Sequence, residues 1–455
     1  MAGLIWARFG ASTTAQTAAV SFMILPLAMR GRWPVMVVAV LIGLNLGLWR
    51  GSAVYGQLQD YRNLYGQKVE LVGRVSDDAA YSYRRQLEFH ITDVTWSDQR
   101  LIGRIRVRGF GGVGIRRGDI VRVFGKLSEG FGNRQGSISY ADIEVIGRKI
   151  SAIEDIRAKF FAGVNTALPE PNSSLGLGFL VGLRALLPDQ LLDQLSATGL
   201  THIVAVSGYN LTILVRVMRR LFAKRSVYMS VATSAALIIG FLLVTGLSPS
   251  ISRAAVVSGF ALTAWYFGRQ IKPILLILLS AAITAFINPF YAWYDIGWSL
   301  SFSAFFGVLV LAPLFTKRYF NKRPKLLGQV VIETISAQIM ALPIIAVIFG
   351  ELSLISVAAN ALIVPMIPLA MLLTFLAGLG GMLGSAFAGW LAWPANLVLT
   401  FMTDLVSVMA EVPWALKKLD TSWTEASIFY AAVIICALVI RLKIRKPLSG
   451  TEIIE

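Results

Sequence analysis

Cysteine occurs once in the 455 residues, at Cys436 within an apolar run, and histidine only twice, at His90 and His202. An intramolecular disulfide, a thiolate metal cluster and a multi-histidine metal centre are therefore excluded. Charge is scarce as well: Asp, Glu, Lys and Arg make up 15% of the chain, against 56% hydrophobic residues. No P-loop or other nucleotide-binding pattern is visible, so no cofactor is expected and any driving force must come from outside the polypeptide. What the chain does have is long apolar runs. Ser230 to Leu247, Ile335 to Phe349 and Ala426 to Ile440 approach the ~20 residues that cross a bilayer, and the charges fall mostly between such runs.

The expected fold class is a polytopic α-helical membrane protein of about 10–11 membrane segments, with an inserted extracytoplasmic small β-barrel domain that is OB-like. The N-terminus lacks the small-residue cleavage pattern of a secretory signal, so residues 1–50 read as an uncleaved transmembrane hairpin. Its two runs, about Thr14 to Met29 and Trp33 to Leu48, flank Arg30 and Arg32. Basic residues favour the cytoplasmic side, so the β domain that follows, within 60–150, is expected outside. There the pattern changes to short alternating segments, "KVELVGRV", "QLEFHITDV", "LIGRIRVRGF", "DIVRVFGKL" and "GSISYADIEVIG", as half-buried strands require. Residues 151–198 read as amphipathic helices that are interfacial or re-entrant, 199–445 as the membrane domain and 446–455 as a cytoplasmic tail.

With the β domain outside, the basic clusters at Arg216 to Arg225, Arg269 to Lys272, Lys317 to Lys325 and Arg441 to Lys446 all fall on the cytoplasmic side. Lys417 and Lys418 are the exception, and Pro365 and Pro368 mark where a segment would be broken. The net charge of +17 suits a polyanionic partner, but positive cytoplasmic loops account for it equally well.

Within the β domain Arg104, Arg106 and Arg108 alternate along one strand and share a face, with Arg116, Arg117 and Arg122 nearby. Such a face can follow a phosphate backbone, with Tyr81, Tyr83, Trp96 and Phe110 as stacking surfaces for bases. A solvated outer face over an aromatic core is the plainer alternative. In the membrane domain, polar groups recur in apolar surroundings: Arg184, Thr198, Thr201, His202, Ser207 and Asn210, then Arg253, Asp295, Glu333, Gln338 and Asn360. Such groups avoid lipid, so they are expected to line a lumen or to meet one another, with Arg253 pairing Asp295 or Glu333 as one possibility. A nucleophile–base pair of Ser207 and His202 is disfavoured, because five residues of helix put them on different faces and no orienting acid is evident.

At "TGLTHIVAVSGYN", "SPSISRA", "DIGWSLSFSAFFG" and "AQIMALPIIAVIFGELSLISVAANALIVPMIP" the chain resembles the ComEC family of competence proteins. The resemblance implies a channel in the cytoplasmic membrane that translocates single-stranded DNA during natural transformation. It implies as partners the strand itself, the bilayer, an extracytoplasmic DNA receptor and a cytosolic helicase or translocase. Many relatives carry a histidine shortly after the Ser-Gly pair where this chain has Asn210, and many continue into a metallo-β-lactamase-like domain, where this chain stops at Glu455. With two histidines in total no clustered His/Asp metal motif can form, so neither that nuclease activity nor another enzymatic one is expected of it, and if strand degradation occurs a separate nuclease must supply it. A small-solute or ion transporter built on broken membrane helices is the alternative function.

Overall fold

The computed structural model describes residues 1–9, 32–81, 86–111, 114–148, 152–204, 208–246, 248–320, 324 and 326–443. The chain divides into two compact units, Met1–Ser151 with Ala281–Ser299, and Ala152–Ser280 with Leu300–Glu455.

In the first unit the alternating segments form strands because every second residue is apolar and turns inward. The strands are β1 (Lys68–Val75), β2 (Ala80–Tyr81), β3 (Leu87–Trp96), β4 (Gln99–Leu101), β5 (Ile105–Phe110), β6 (Ile120–Glu129) and β7 (Gly136–Gly147). The five longer ones match the five sequence segments, while β2 and β4 are short additions paired on β3. β1 pairs with β3 and β6, β6 with β7, β7 with β5, and β5 with β3, so the pairings return to their start. β5 and β7 run parallel and the other pairs antiparallel. A small barrel of the expected OB-like kind needs such a ring of pairings. Leu71, Phe89, Ile91, Ile105, Val123 and Leu127 point into it and are 0–1% exposed, each burial stabilising by roughly 1.5–3 kcal/mol.

The expected run Thr14 to Met29 lies outside the described residues. The second run of the hairpin forms the helix Arg32–Leu58, which continues past the expected boundary at Arg50. A 3-10 turn, Gln59–Tyr61, then feeds β1, held by the wholly buried Tyr61 donating to the Ile102 carbonyl at 2.9 Å. The short helix Pro289–Tyr294 joins this unit through Trp293, whose Nε1 donates to the Leu4 carbonyl at 2.7 Å.

Six helices among the described residues are long and apolar enough to cross a membrane: Val227–Thr245, Ile296–Tyr319, Gly328–Phe349, Ser356–Leu383, Gly389–Ala410 and Trp423–Lys443. Other expected segments are shorter or interrupted. Pro273–Ile287 has 15 residues, and Thr201–Val204 and Gly208–Ala223 are helical. Pro249, Pro273 and Pro289 each sit at a helix start, where a missing N–H costs nothing. Ser356–Leu383 is interrupted by a 3-10 turn, Val364–Met366, at the anticipated prolines. Ile296–Tyr319 contains a π turn, Gly307–Leu311.

The core of the second unit gathers Leu175, Leu177, Phe179, Leu195, Ile363 and Leu399. Asn172–Val181, within the stretch expected to be interfacial or re-entrant, is buried at nine of its ten positions. Gly176 and Gly178 permit this, since added methyl groups there would lie 2.6 Å from Thr374 and Val204 side-chain atoms. Lys417 and Lys418, the outliers of the charge pattern, belong to a two-stranded ribbon in which β8 (Glu351–Ser353) pairs antiparallel with β9 (Leu416–Lys418).

Candidate functional site

Arg253 stands near the start of the helix Pro249–Tyr266, which Ser248 caps by accepting the Ile251 N–H at 3.3 Å. Its Nε donates to Ser301 Oγ at 2.7 Å, and Ser301 also contacts Ser250 Oγ at 3.1 Å. The guanidinium lies over the Phe305 ring at 4.7 Å and the Phe302 ring at 6.0 Å, within cation–π range. Gly208 supplies the remaining wall: a Cβ there would sit 2.6 Å from Arg253 Nη2 and 2.9 Å from the Ala254 Cβ. Three sequence motifs far apart in the chain thus meet around one half-buried cation. No carboxylate pairs with it among the described residues. Of the expected partners, Glu333 accepts from Gln329 at 2.8 Å, and Asp295, in the first unit, accepts from Asn133 at 2.9 Å.

A second polar group joins the first and fourth motifs. Ser353 Oγ donates to the Ala197 carbonyl at 2.7 Å, and Ser356 Oγ donates to the Ser353 carbonyl at 2.8 Å. Gln338 Nε2 donates to Ser356 Oγ at 2.6 Å, and Asn360 Nδ2 donates to the Ser356 carbonyl at 2.7 Å. His202 bonds the Asn360 side chain, and its Nδ1 lies 3.1 Å from the Gly199 carbonyl oxygen. These bonds tie the segment around Ala197 to His202 onto the start of the helix Ser356–Ile363.

The remaining positions expected at a lumen divide by burial. Thr198 is fully buried and donates to the Gln194 carbonyl at 2.8 Å. Asn210 is 1% exposed and donates to the Phe179 carbonyl at 2.9 Å. Both pin neighbouring segments rather than open onto a surface. Thr201 is half-buried, while Arg184 and His202 are exposed. Ser207 lies outside the described residues.

In the β domain, Arg106 and Arg108 alternate with the buried Ile105 and Val107, so they share the outer face with Arg104 as expected. Each is partnered by an acid: Arg104 with Asp77 at 3.1 Å, and Arg106 and Arg108 with Glu88 at 3.2 and 2.6 Å. Arg122 pairs with Glu70 at 3.0 Å and Glu144 at 2.7 Å. Arg116 and Arg117 lie in the turn before β6. Exposed aromatics interleave these ion pairs. Phe110 on β5 and Phe124 on β6 both stand opposite Asp142 of β7, and are 52% and 49% exposed. A bulge in β7 puts Tyr140 at φ 59 with its ring 64% exposed, an unusual backbone for a bulky residue. Trp96 instead packs against the core, and Tyr83 lies outside the described residues. Phe124 and Tyr140 were missed on composition alone, yet the position of Phe124 in β6, alternating with Val121 and Val123, was a readable signal.

Asp295 lies with Asp77, His90 and Arg104 around a cavity of about 290 Å³ in the same unit. Burial works to raise the Asp77 carboxyl, but the His90 bond and the charges of His90 and Arg104 together hold it below its usual value. Burial raises Asp295 above the usual range, against the pull of the Trp298 N–H, Asn133 and Arg104. Asp77 therefore binds protons less readily folded than unfolded. Its stabilisation is present above the ordinary carboxylate pKa and is lost as pH falls through the lowered value, whereas that of Asp295 is present at low pH and lost as pH rises through the raised one. Asp77→Asn is expected to flatten the acid limb of the thermal-unfolding profile of the purified protein. An acid limb unchanged in the variant would show that the Asp77 pairs contribute nothing.

The model of the family described as Competence protein matches residues 179–444. A curated relative, ComE operon protein 3 of Bacillus subtilis (strain 168), is 26% identical over 264 residues, which is 56% of this chain and 33% of that protein. The chain thus spans about a third of that relative's length. No solved structure matches the chain.

Proposed function

We propose, on the premise that this chain belongs to the Competence protein family, that it carries single-stranded DNA across the cytoplasmic membrane during natural transformation. The observation that carries this is Arg253, a cation without a carboxylate partner among the described residues, on which three motifs within the family match converge. A phosphate dragged through hydrocarbon would cost many kcal/mol, so a strand needs a route lined by cations and polar groups. Arg253 with Ser250 and Ser301, and the accessible Thr201, His202 and Gln338, backed by the buried Asn360, are the groups assigned to that route.

The β domain is assigned to the outside, where it receives the strand. Exposed rings between arginines suit single strands, because every base offers a face to stack and the phosphates follow the cations. A small-solute transporter would use broken helices equally, but it has no need of Phe110, Phe124 and Tyr140 on an exposed face. The bilayer, a DNA receptor outside and a helicase or translocase inside are the proposed partners. The test is binding of a labelled single-stranded oligonucleotide by the full chain in detergent micelles. Affinity should fall with salt, and Phe124→Ala should weaken it by about tenfold, as loss of one stacked base does. Binding indifferent to both salt and this change would remove the β domain from the reading.

A further inference from the structure

We infer that the cavity beside Asp295 is a seat for one nucleotide, in which Arg134 holds a phosphodiester and Phe131 stacks its base. This rests on the single-strand reading above and deepens it. The cavity is lined by Asp77, Arg104, Phe131, Asn133, Arg134 and Asp295, among others, and its volume of about 290 Å³ lies at the small end of ligand sites. It has room for one nucleotide unit and not for a stretch of strand.

An inventory of donors and acceptors decides what it takes. Asp77 is saturated: Oδ1 accepts from the His90 N–H at 2.9 Å and Ser76 Oγ at 3.1 Å, while Oδ2 contacts His90 Nδ1 at 2.6 Å and Arg104 Nη2 at 3.1 Å. Asp295 is nearly so, with Oδ1 accepting from the Trp298 N–H at 2.7 Å and Oδ2 from Asn133 Nδ2 at 2.9 Å. Its carboxylate therefore serves to tie the β6–β7 loop down. Donors, by contrast, are left over. Among the described residues Arg104 commits only Nη2, to Asp77 and to Ser76 at 3.3 Å. Arg134 carries five N–H groups and has no ion pair or side-chain hydrogen bond among the described residues, unlike Arg104, Arg106, Arg108 and Arg122. Surplus donors with the nearby carboxylates already engaged call for a ligand that only accepts, and a phosphodiester is one.

Phe131 gives the second half. It is 78% exposed on the same loop, three residues from Arg134, at the cavity. A ring kept in water and a guanidinium without an ion pair among the described residues, both lining one cavity, offer a nucleotide a stacking face for its base and donors for its phosphate.

The experiment compares the full chain with Arg134→Gln and Phe131→Ala in micelles, using fluorescein-labelled oligothymidylate and a salt titration. Phe124→Ala, on the outer face, runs in parallel. Phe131→Ala should weaken binding about 5- to 100-fold. Arg134→Gln should lower the slope of log affinity against log salt by about 0.7, the loss of one single-strand phosphate contact. Both variants binding as the parent does, while Phe124→Ala weakens binding, would overturn the seat and leave the wider reading standing. Absence of binding by the parent chain would overturn both.

Discussion

Arg253→Ala, in a naturally transformable host, is expected to reduce transformation to the level of a strain deleted for the gene, with protein abundance and membrane insertion unchanged. The two halves of that expectation have one cause. A buried arginine that closes an ion pair cannot be removed without stranding its partner charge, and such losses destabilise. Among the described residues Arg253 strands nothing charged: its Nε bond ends on Ser301 Oγ, which keeps a contact with Ser250 Oγ at 3.1 Å, and it lies over the rings of Phe302 and Phe305. Folding can therefore dispense with the cation, whereas a passing phosphate cannot. Lysine at the same position keeps the charge but loses the planar fork and the stack on Phe305, so Arg253→Lys should transform at an intermediate level. Gly208→Ala, which pushes a methyl group to within 2.6 Å of Arg253 Nη2, should impair uptake in the same direction. Transformant counts beside immunoblots of membrane fractions read both halves. Full transformation by Arg253→Ala would remove the residue from the route.

Gly381→Leu is expected to destabilise the second unit by about 3 kcal/mol or more, beyond the usual cost of overpacking. A Cβ at Gly381 would collide with the carbonyl oxygen of Gly163, and one at Gly163 would sit 2.5 Å from the Gly378 carbonyl oxygen. The helices Ala152–Ala167 and Ile367–Leu383 therefore touch backbone to backbone, and no rotamer of a leucine relieves that. The unit would have to part along this seam, exposing Val164 and Ala377, both wholly buried. Gly389→Ala is the control, because nothing lies within 4 Å of a Cβ there and alanine favours the helix. Melting temperatures of the purified variants should separate widely. Equal melting would show that the contact can open without loss.

The strands were legible because period two is a local property: "KVELVGRV" and "GSISYADIEVIG" coincide with β1 and β7. The interruption at Pro365 and Pro368 was legible for the same reason, since proline acts on its own turn. Long-range pairing was not. Nothing near "LKK" announces that Leu416–Lys418 will pair with Glu351–Ser353, so the lysines stood out as misplaced charges. Burial at membrane depth was equally hidden. Thr198, Asn210 and Arg253 look alike as polar residues in apolar runs, yet two are sealed onto backbone carbonyls and one has no carboxylate partner among the described residues. Sequence separates them only through partners that lie 31 and 48 residues away for Asn210 and Arg253. In the β domain the arginine face was readable, but its acids come from neighbouring strands, as Glu88 of β3 does for Arg106 and Arg108 of β5.

The most direct measurement places a photo-crosslinking residue at Ser301, in a variant that still transforms, and illuminates competent cells during uptake of labelled DNA. A covalent adduct between the chain and single-stranded DNA is expected, and Arg253→Ala should abolish it. Continued transformation with no adduct at Ser301 would contradict passage of the strand beside Arg253.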